Sequence, residues 1–235
     1  MRNNPLVSVI IPSKNEENYI EKTLISIKNQ SYKNTEIIIV DSSTDNTIKI
    51  AKKFTNKIIK KNVNIPKAKN LGTKHAKGDI LLFVDADTIL LPNCIERSLK
   101  FILNGSYDAI IPNVKPREKN FRAIILTLIY KWFLKLMDLT YNFSIGGCPV
   151  MVTKEFFNRI DGFNERFTCV EDLEFIKKLK IFGKVKIDKK ILSIISLRRF
   201  EKDGYFKWML RGGLSGLLFI IKNEPYYKDV YPIFR

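Results

Sequence analysis

A chain of 235 residues with a hydrophobic fraction of 45% is sized for one larger domain, or for one domain with a modest appendage. Its 41 lysines and arginines against 24 acids leave a formal net charge of +17, which attracts anionic partners without choosing among nucleic acid, anionic lipid and phosphate-bearing substrates. The scattered cysteines Cys94, Cys148 and Cys169 lack C-x-x-C spacing and His75 is the single histidine, which argues against a disulfide framework, a zinc site or a Ser-His-Asp triad and makes a reducing compartment the default.

The start, Met1 to Pro5, is short and polar, shows no signal peptide and runs into Leu6–Ile11, a short β-rich segment. Pro12 and a polar turn through Asn15 follow. Glu17–Gln30 then sets Ile20, Leu24 and Ile27 at helical spacing. Glu36–Val40 is a second buried-type strand, ended by Asp41 and the turn-forming Ser42-Ser43-Thr44-Asp45. A helix through about Phe54, a brief strand near Ile58 and Ile59, and a helix over Lys67–Ala76 with Gly78 as its stop come next.

Ile80–Val84 is strongly apolar and leads into Asp85-Ala86-Asp87. Pro92 opens a helix through about Leu103, and Asp108–Ile111 is the next strand. Further on, Gly146–Thr153 reads as a strand entered through a double glycine, Leu173–Phe182 as a helix and Ile191–Leu197 as a strand. Such alternation predicts an α/β domain with a mostly parallel sheet covered on both faces. Ligands of such sheets bind outside the carboxyl ends of the strands, where Asp41 and Asp85 are both expected.

Asp85 and Asp87, on an extended backbone, would point the same way and face one cation. Hard carboxylate oxygens suit Mg²⁺ or Mn²⁺ bridging a diphosphate. Asp41 can accept hydrogen bonds from a base or ribose, or equally close an Asx turn. The loop Pro12-Ser13-Lys14-Asn15-Glu16 reads by itself as a helix cap with acids in the first turn. Lys67, Lys69 and Asn70 can meet phosphate or ribose, although the lysines around them read mainly as a solvated basic face. Glu171-Asp172 fits either as acids complementing a helix N-terminus or as a general base. Arg198-Arg199 offers forked donors for a diphosphate, or a surface basic pair.

Taken together and in order, these segments resemble the family 2 glycosyltransferases of GT-A fold, over roughly residues 6–200. "VSVIIPSKNEE" (Val7–Glu17) is similar to the family's opening strand and nucleotide loop, and "IIVDSSTDN" (Ile38–Asn46) to its second strand. "KAKNLGTKHAKGDILLFVDADT" (Lys67–Thr88) contains the D-x-D pattern, "GGCPVMVTKEFFNRIDGFNE" (Gly146–Glu165) looks like the acceptor-side strand and turn, and "EDLEFIKKL" (Glu171–Leu179) resembles the E-D motif. The resemblance implies a Rossmann-like mixed sheet and an inverting reaction with a nucleoside-diphosphate sugar, UDP- or GDP-linked. Implied roles are Asp172 as base; Pro12, Ser13, Asn15, Glu16, Asp41, Lys67, Asn70, Asp85, Arg198 and Arg199 at the donor; Gly146, Gly147 and Glu171 at the acceptor; and Asp85 with Asp87 at the metal, Mg²⁺ or Mn²⁺. Residues 1–200 are expected to form the catalytic domain, divided into a nucleotide half (1–113) and an acceptor half (114–200), with 201–235 an amphipathic helical extension. The Q-x-x-R-W motif of processive polysaccharide synthases is missing, which argues against processive polymerisation.

Phe121–Phe143 and Tyr205–Ile221 combine aromatic and basic residues, a pattern that suits either an anionic bilayer interface or packing on the domain's own core. The expectation is a cytoplasmic protein held peripherally at the inner face of the cell membrane, where a glycan or lipid-linked acceptor resides. One rival, a nucleotidyltransferase, predicts a glycine-rich basic loop after the first strand, whereas Pro12–Glu16 has no glycine. A second, a nucleic-acid-binding module, lacks a recognisable recognition motif, so no nucleic-acid partner is expected. An inactive glycosyltransferase-like scaffold is disfavoured by the retained acids.

Overall fold

The computed structural model describes residues 4–117, 149–167 and 171–196. Among the described residues eight strands form one sheet in the order β3-β2-β1-β4-β7-β6-β8-β5, where β1 is Val7–Ser13, β2 Thr35–Asp41, β3 Ile58–Lys60, β4 Ile80–Phe83, β5 Ile89–Leu90, β6 Ala109–Pro116, β7 Val150–Thr153 and β8 Val185–Ile195. The sheet is mixed and mostly parallel. β1 runs parallel to β2 and β4, β2 to β3, and β6 to β8; β7 is antiparallel to β4 and β6, and β5 to β8. The central strand β4 is buried at all four positions, which is why it reads as an unbroken apolar run rather than an alternating one.

Two apolar clusters lie on opposite faces of the sheet, as expected for a layered α/β domain. Helices α1 (Ile20–Lys28), α2 (Thr47–Ala51) and α4 (Cys94–Leu103) cover one face. In α1 the buried positions Ile20, Thr23, Leu24 and Ile27 form the inward stripe. Helices α5 (Lys154–Arg159) and α6 (Glu171–Phe182) cover the other face, and α3 (Ile65–His75) packs there on β1 and β2. Asn64 starts α3 by accepting the Lys67 amide at 3.0 Å, with proline in the first turn.

Several sequence expectations shift. Gly78 is not the stop of α3, which ends at His75 with Ala76 as its cap. A Cβ at Gly78 would lie 2.3 Å from the Leu6 carbonyl oxygen, so glycine is there to let two backbones approach. Pro92 precedes α4 rather than opening it, and β8 begins at Val185, six residues ahead of the predicted start at Ile191. The short elements β5 and α5 carried too little periodicity to be read. Phe121–Phe143, the double glycine and Tyr205–Ile221 lie outside the described residues. Among the described residues no helix is long and apolar enough to cross a membrane. Cys94 is a free, buried thiol, pushed up to about 12 by its burial.

Candidate active site

Because β1, β2 and β4 are parallel, their carboxyl ends open on the same side. Ser13 at the end of β1 stands beside Asp41 at the end of β2. Asp41 is fully buried, and its carboxylate accepts from Ser13 Oγ at 2.5 Å, Ser43 N at 2.8 Å and Ser43 Oγ at 2.8 Å. The bond from the Ser43 amide is the Asx turn that this residue type permits. Contact between Asp41 and a nucleoside therefore requires local rearrangement, while its evident work is to shape the two loops.

Those loops are cross-tied along their length. Asn15 Oδ1 accepts from Thr44 N at 3.0 Å, Asn15 N donates to Ser43 Oγ at 2.7 Å, and Glu16 N donates to Thr47 Oγ1 at 2.8 Å. Asp45 accepts from the Glu17 amide and from Thr47. Its burial works to raise its pKa, yet these hydrogen bonds hold the carboxyl below its ordinary value. Asn15 adopts a φ of 55°, a left-handed conformation that asparagine tolerates, and so turns a loop that has no glycine. Pro12 is half-buried and Glu16 buried at the head of this loop.

The pair expected at a metal, Asp85 and Asp87, departs from the sequence argument in one step. The two do not alternate along an extended strand. They occupy a turn in which the Thr88 amide donates to the Asp85 carbonyl at 3.1 Å. Polar residues of α1, and Gln30 just beyond its end, hold this segment. Thr23 Oγ1 donates to the Ala86 carbonyl at 2.8 Å, Ser26 Oγ accepts from Leu90 N at 3.0 Å, and Gln30 Nε2 donates to the Leu91 carbonyl at 2.8 Å. Both aspartates are half-buried. Among the described residues no cluster of three His, Cys, Asp or Glu forms a protein-only cation site. Two carboxylates from one turn offer the hard oxygen ligands that would suit a divalent cation.

Glu171 and Asp172 lie in the first turn of α6. An aromatic cluster sets that helix against β4: Phe163 stacks on Phe175 at 3.9 Å between centroids, and Phe83, the last residue of β4, meets Phe163 edge-on at 5.0 Å. Such pairs add about 0.5–1.5 kcal/mol each beyond burial. Lys69 of α3, fully buried, donates to Asp172 Oδ1 at 2.7 Å and lies 4.0 Å from Glu171 Oε1. Its ammonium also sits 4.9 Å from the centre of the Phe163 ring.

Burial pushes Glu171 up to about 8, reinforced by the charges of Asp172 and Asp85, while Lys69 pulls the other way. The two acidic pairs thus lie within electrostatic reach of each other. A carboxyl raised above its unfolded value of 4.5 contributes stability that is full below about pH 4.5 and lost as pH climbs through about 8. Thermal melts are therefore expected to show wild type losing several degrees more than Glu171→Gln between pH 5 and pH 8. Parallel curves would contradict this placement.

Other predicted donor residues lie further out. Asn70 uses its amide to brace a neighbouring loop: Oδ1 accepts from Phe163 N at 3.0 Å, and Nδ2 donates to the Phe163 carbonyl at 2.8 Å and to Glu165 Oε1 at 3.1 Å. It also lines an open cleft of about 370 Å³ with Asn164, Arg166 and Lys178. Lys67 is exposed beside Lys61 and Lys74 at a smaller recess. Gly146, Gly147, Arg198 and Arg199 lie outside the described residues. Lys69, which the sequence groups with the surrounding lysines, is separated from them by its burial. The legible sign was its position on the inward stripe of α3, with Pro66 and Thr73 three and four residues away and both buried.

The chain is similar to known proteins in sequence and in fold. Residues 8–167, more than half of the chain, match the family described as Glycosyl transferase family 2. An uncharacterized glycosyltransferase of Rickettsia felis is 30% identical over 203 residues, covering 80% of this chain and 33% of that protein. Chondroitin synthase of Pasteurella multocida is 30% identical over 189 residues, 77% of this chain and 20% of that enzyme. The chain thus spans a third or less of the length of these two relatives. Among solved structures, the mannosyltransferase PcManGT from Pyrobaculum calidifontis, in complex with GDP-Man and Mn²⁺, superposes with a TM-score of 0.68 at 21% identity, covering 92% of this chain and 62% of that one. S. aureus TarS 1–349 in complex with UDP-GlcNAc gives a TM-score of 0.64 at 21% identity, covering 81% and 58%. The strand order, the two-sided helical cover and the ordered sequence matches lead to one assignment: this chain has the GT-A fold and belongs to glycosyl transferase family 2.

Proposed function

We propose that the chain is an inverting glycosyltransferase that moves a sugar from a UDP- or GDP-linked donor to an acceptor hydroxyl or phosphate. The observation that carries this reading is the gathering of two acidic pairs at one side of the sheet, Asp85 with Asp87 and Glu171 with Asp172. The first pair is suited to a donor diphosphate and the second to an acceptor. The nucleotide sugars bound by the similar solved structures support the donor class.

In the proposed reaction Asp172 takes the proton of the acceptor group. The acceptor oxygen forms a bond to the anomeric carbon from the face opposite the leaving group. The bond from that carbon to the diphosphate oxygen breaks, and its electron pair leaves with the nucleoside diphosphate, inverting the centre. Mg²⁺ or Mn²⁺ held by Asp85 and Asp87 would offset the charge that grows on the diphosphate. Pro12, Ser13, Asn15 and Glu16 would form the nucleoside side, with Asp41 holding Ser13 and Ser43 in place. We assign residues 1–113 to the donor half, 114–200 to the acceptor half and 201–235 to an extension.

A panel of UDP- and GDP-sugars tests the reading. Slow hydrolysis releasing free sugar and nucleoside diphosphate, and dependent on Mn²⁺ or Mg²⁺, is expected for at least one donor. Release of pyrophosphate from a nucleoside triphosphate instead would indicate nucleotidyl transfer. Attachment at an anionic membrane carrying a lipid-linked acceptor is the partner side of the proposal. It rests on the aromatic and basic pattern of Phe121–Phe143 and Tyr205–Ile221, and absence of co-sedimentation with anionic liposomes at low salt would refute it.

A further inference from the structure

Lys69 is the one lysine among the largest fully buried side chains of the described residues, and no solvent reaches it. A buried ammonium is retained only where charged or polar partners compensate its lost hydration. Here the compensation comes from the other half of the chain. Lys69 in α3 and Asp172 in α6 are 103 positions apart in sequence, yet their side chains meet at 2.7 Å. The contact is asymmetric. The Asp172 side chain keeps 26% of its surface exposed while that of Lys69 keeps none. Oδ1 is the oxygen turned to the buried ammonium, and among the described residues Oδ2 makes no hydrogen bond.

We infer that Lys69 is a positioning residue for Asp172: it clamps Oδ1 from below and so presents Oδ2 toward the acceptor. This rests on the reading of Asp172 as the base. The clamp is stiff on its own side. Lys69 is anchored in a helix that packs on β1 and β2, and a Cβ at Gly72, one turn on, would come within 2.5 Å of Ile10 Cγ2, so α3 has no room to slide on the sheet. The Phe163 ring sits over the ammonium and stacks on Phe175, which belongs to the same helix as Asp172. Ammonium, ring and helix therefore hold the carboxylate from two directions. The ammonium also supplies a counter-charge to a group in which Glu171 and Asp172 stand side by side and Asp85 acts on Glu171. A lysine is suited to this place because its compact head fits a closed site at the end of a long apolar stem.

The test uses the full chain, a donor identified from the nucleotide-sugar panel, and three variants: Lys69→Met, Lys69→Arg and Asp172→Asn. Lys69→Met keeps the stem and removes the charge, and is expected to lower kcat about 100-fold with the donor KM and nucleotide affinity within twofold of wild type. Lys69→Arg restores a cation and is expected to retain at least one tenth of wild-type kcat. A folded Lys69→Met variant with kcat within threefold of wild type overturns the inference, as does a donor KM that rises in step with the fall in kcat. If Lys69→Met loses its cooperative melt, Lys69→Arg decides: a folded arginine variant as inactive as Asp172→Asn overturns the inference. The underlying reading fails separately, when Asp172→Asn transfers sugar at the wild-type rate.

Discussion

Replacing Asp172 with asparagine is expected to lower transfer roughly 10²- to 10⁴-fold, the range contributed by a positioned general base, with donor binding left intact. The side chain is isosteric and its partner is a donor, so Lys69 can still give a hydrogen bond to the amide oxygen. What is lost is the capacity to accept a proton from the acceptor. Two measurements separate this from misfolding: nucleotide-dependent thermal stabilisation, expected to persist, and single-turnover transfer, expected to collapse. Transfer at the wild-type rate would show that the base lies elsewhere. A collapse of both readouts would show that the Lys69–Asp172 pair holds the fold, which is the expected behaviour if the variant leaves a buried charge uncompensated.

Asp87→Ala should remove the metal-dependent part of donor binding. Charge stabilisation by a bound divalent ion is worth several kcal/mol, and each 1.36 kcal/mol is tenfold in rate, so kcat/KM should fall by roughly 10³. The turn itself has reason to survive, because its hydrogen bond runs from the Thr88 amide to the Asp85 carbonyl, and Thr23 holds the Ala86 carbonyl. Neither contact uses the Asp87 side chain. Titration of the nucleotide with and without Mn²⁺ checks the expectation: the two curves should coincide for the variant and separate for wild type. Mn²⁺-stimulated binding by the alanine variant would remove Asp87 from the metal site.

Where several residues of the candidate site would lie was legible because strand and helix ends are local features. A parallel β strand that ends in an acid puts that acid at the ligand side, and Asp41 and Asp85 both follow this rule. Glu171 and Asp172 could be placed in the first turn of a helix from the apolar pattern that follows them. The conformation between was not legible. D-x-D on paper is compatible with alternation along a strand, and the turn seen here depends on α1 presenting Thr23 and Ser26, and the residue Gln30 beyond it, to a segment roughly sixty residues on. Likewise the family resemblance places Asn15 at the donor, but its amide oxygen is taken by Thr44. Asn70 is taken by the loop at Phe163 and Glu165 in the same way.

By itself the sequence determined the layered α/β class, since apolar periodicity and strand-end acids are properties of short windows, while the resemblance of its ordered motifs pointed to the family. Only the tertiary structure decided which lysine among many faces the site. Burial of Lys69 and its meeting with Asp172 come from packing α3 and α6 on one face of the same sheet, a contact across 103 positions that no local pattern encodes. The same packing brings Asp85 within electrostatic reach of Glu171 and, with burial, lifts that carboxyl to about 8, because the field of a charge depends on distance in space and not along the chain.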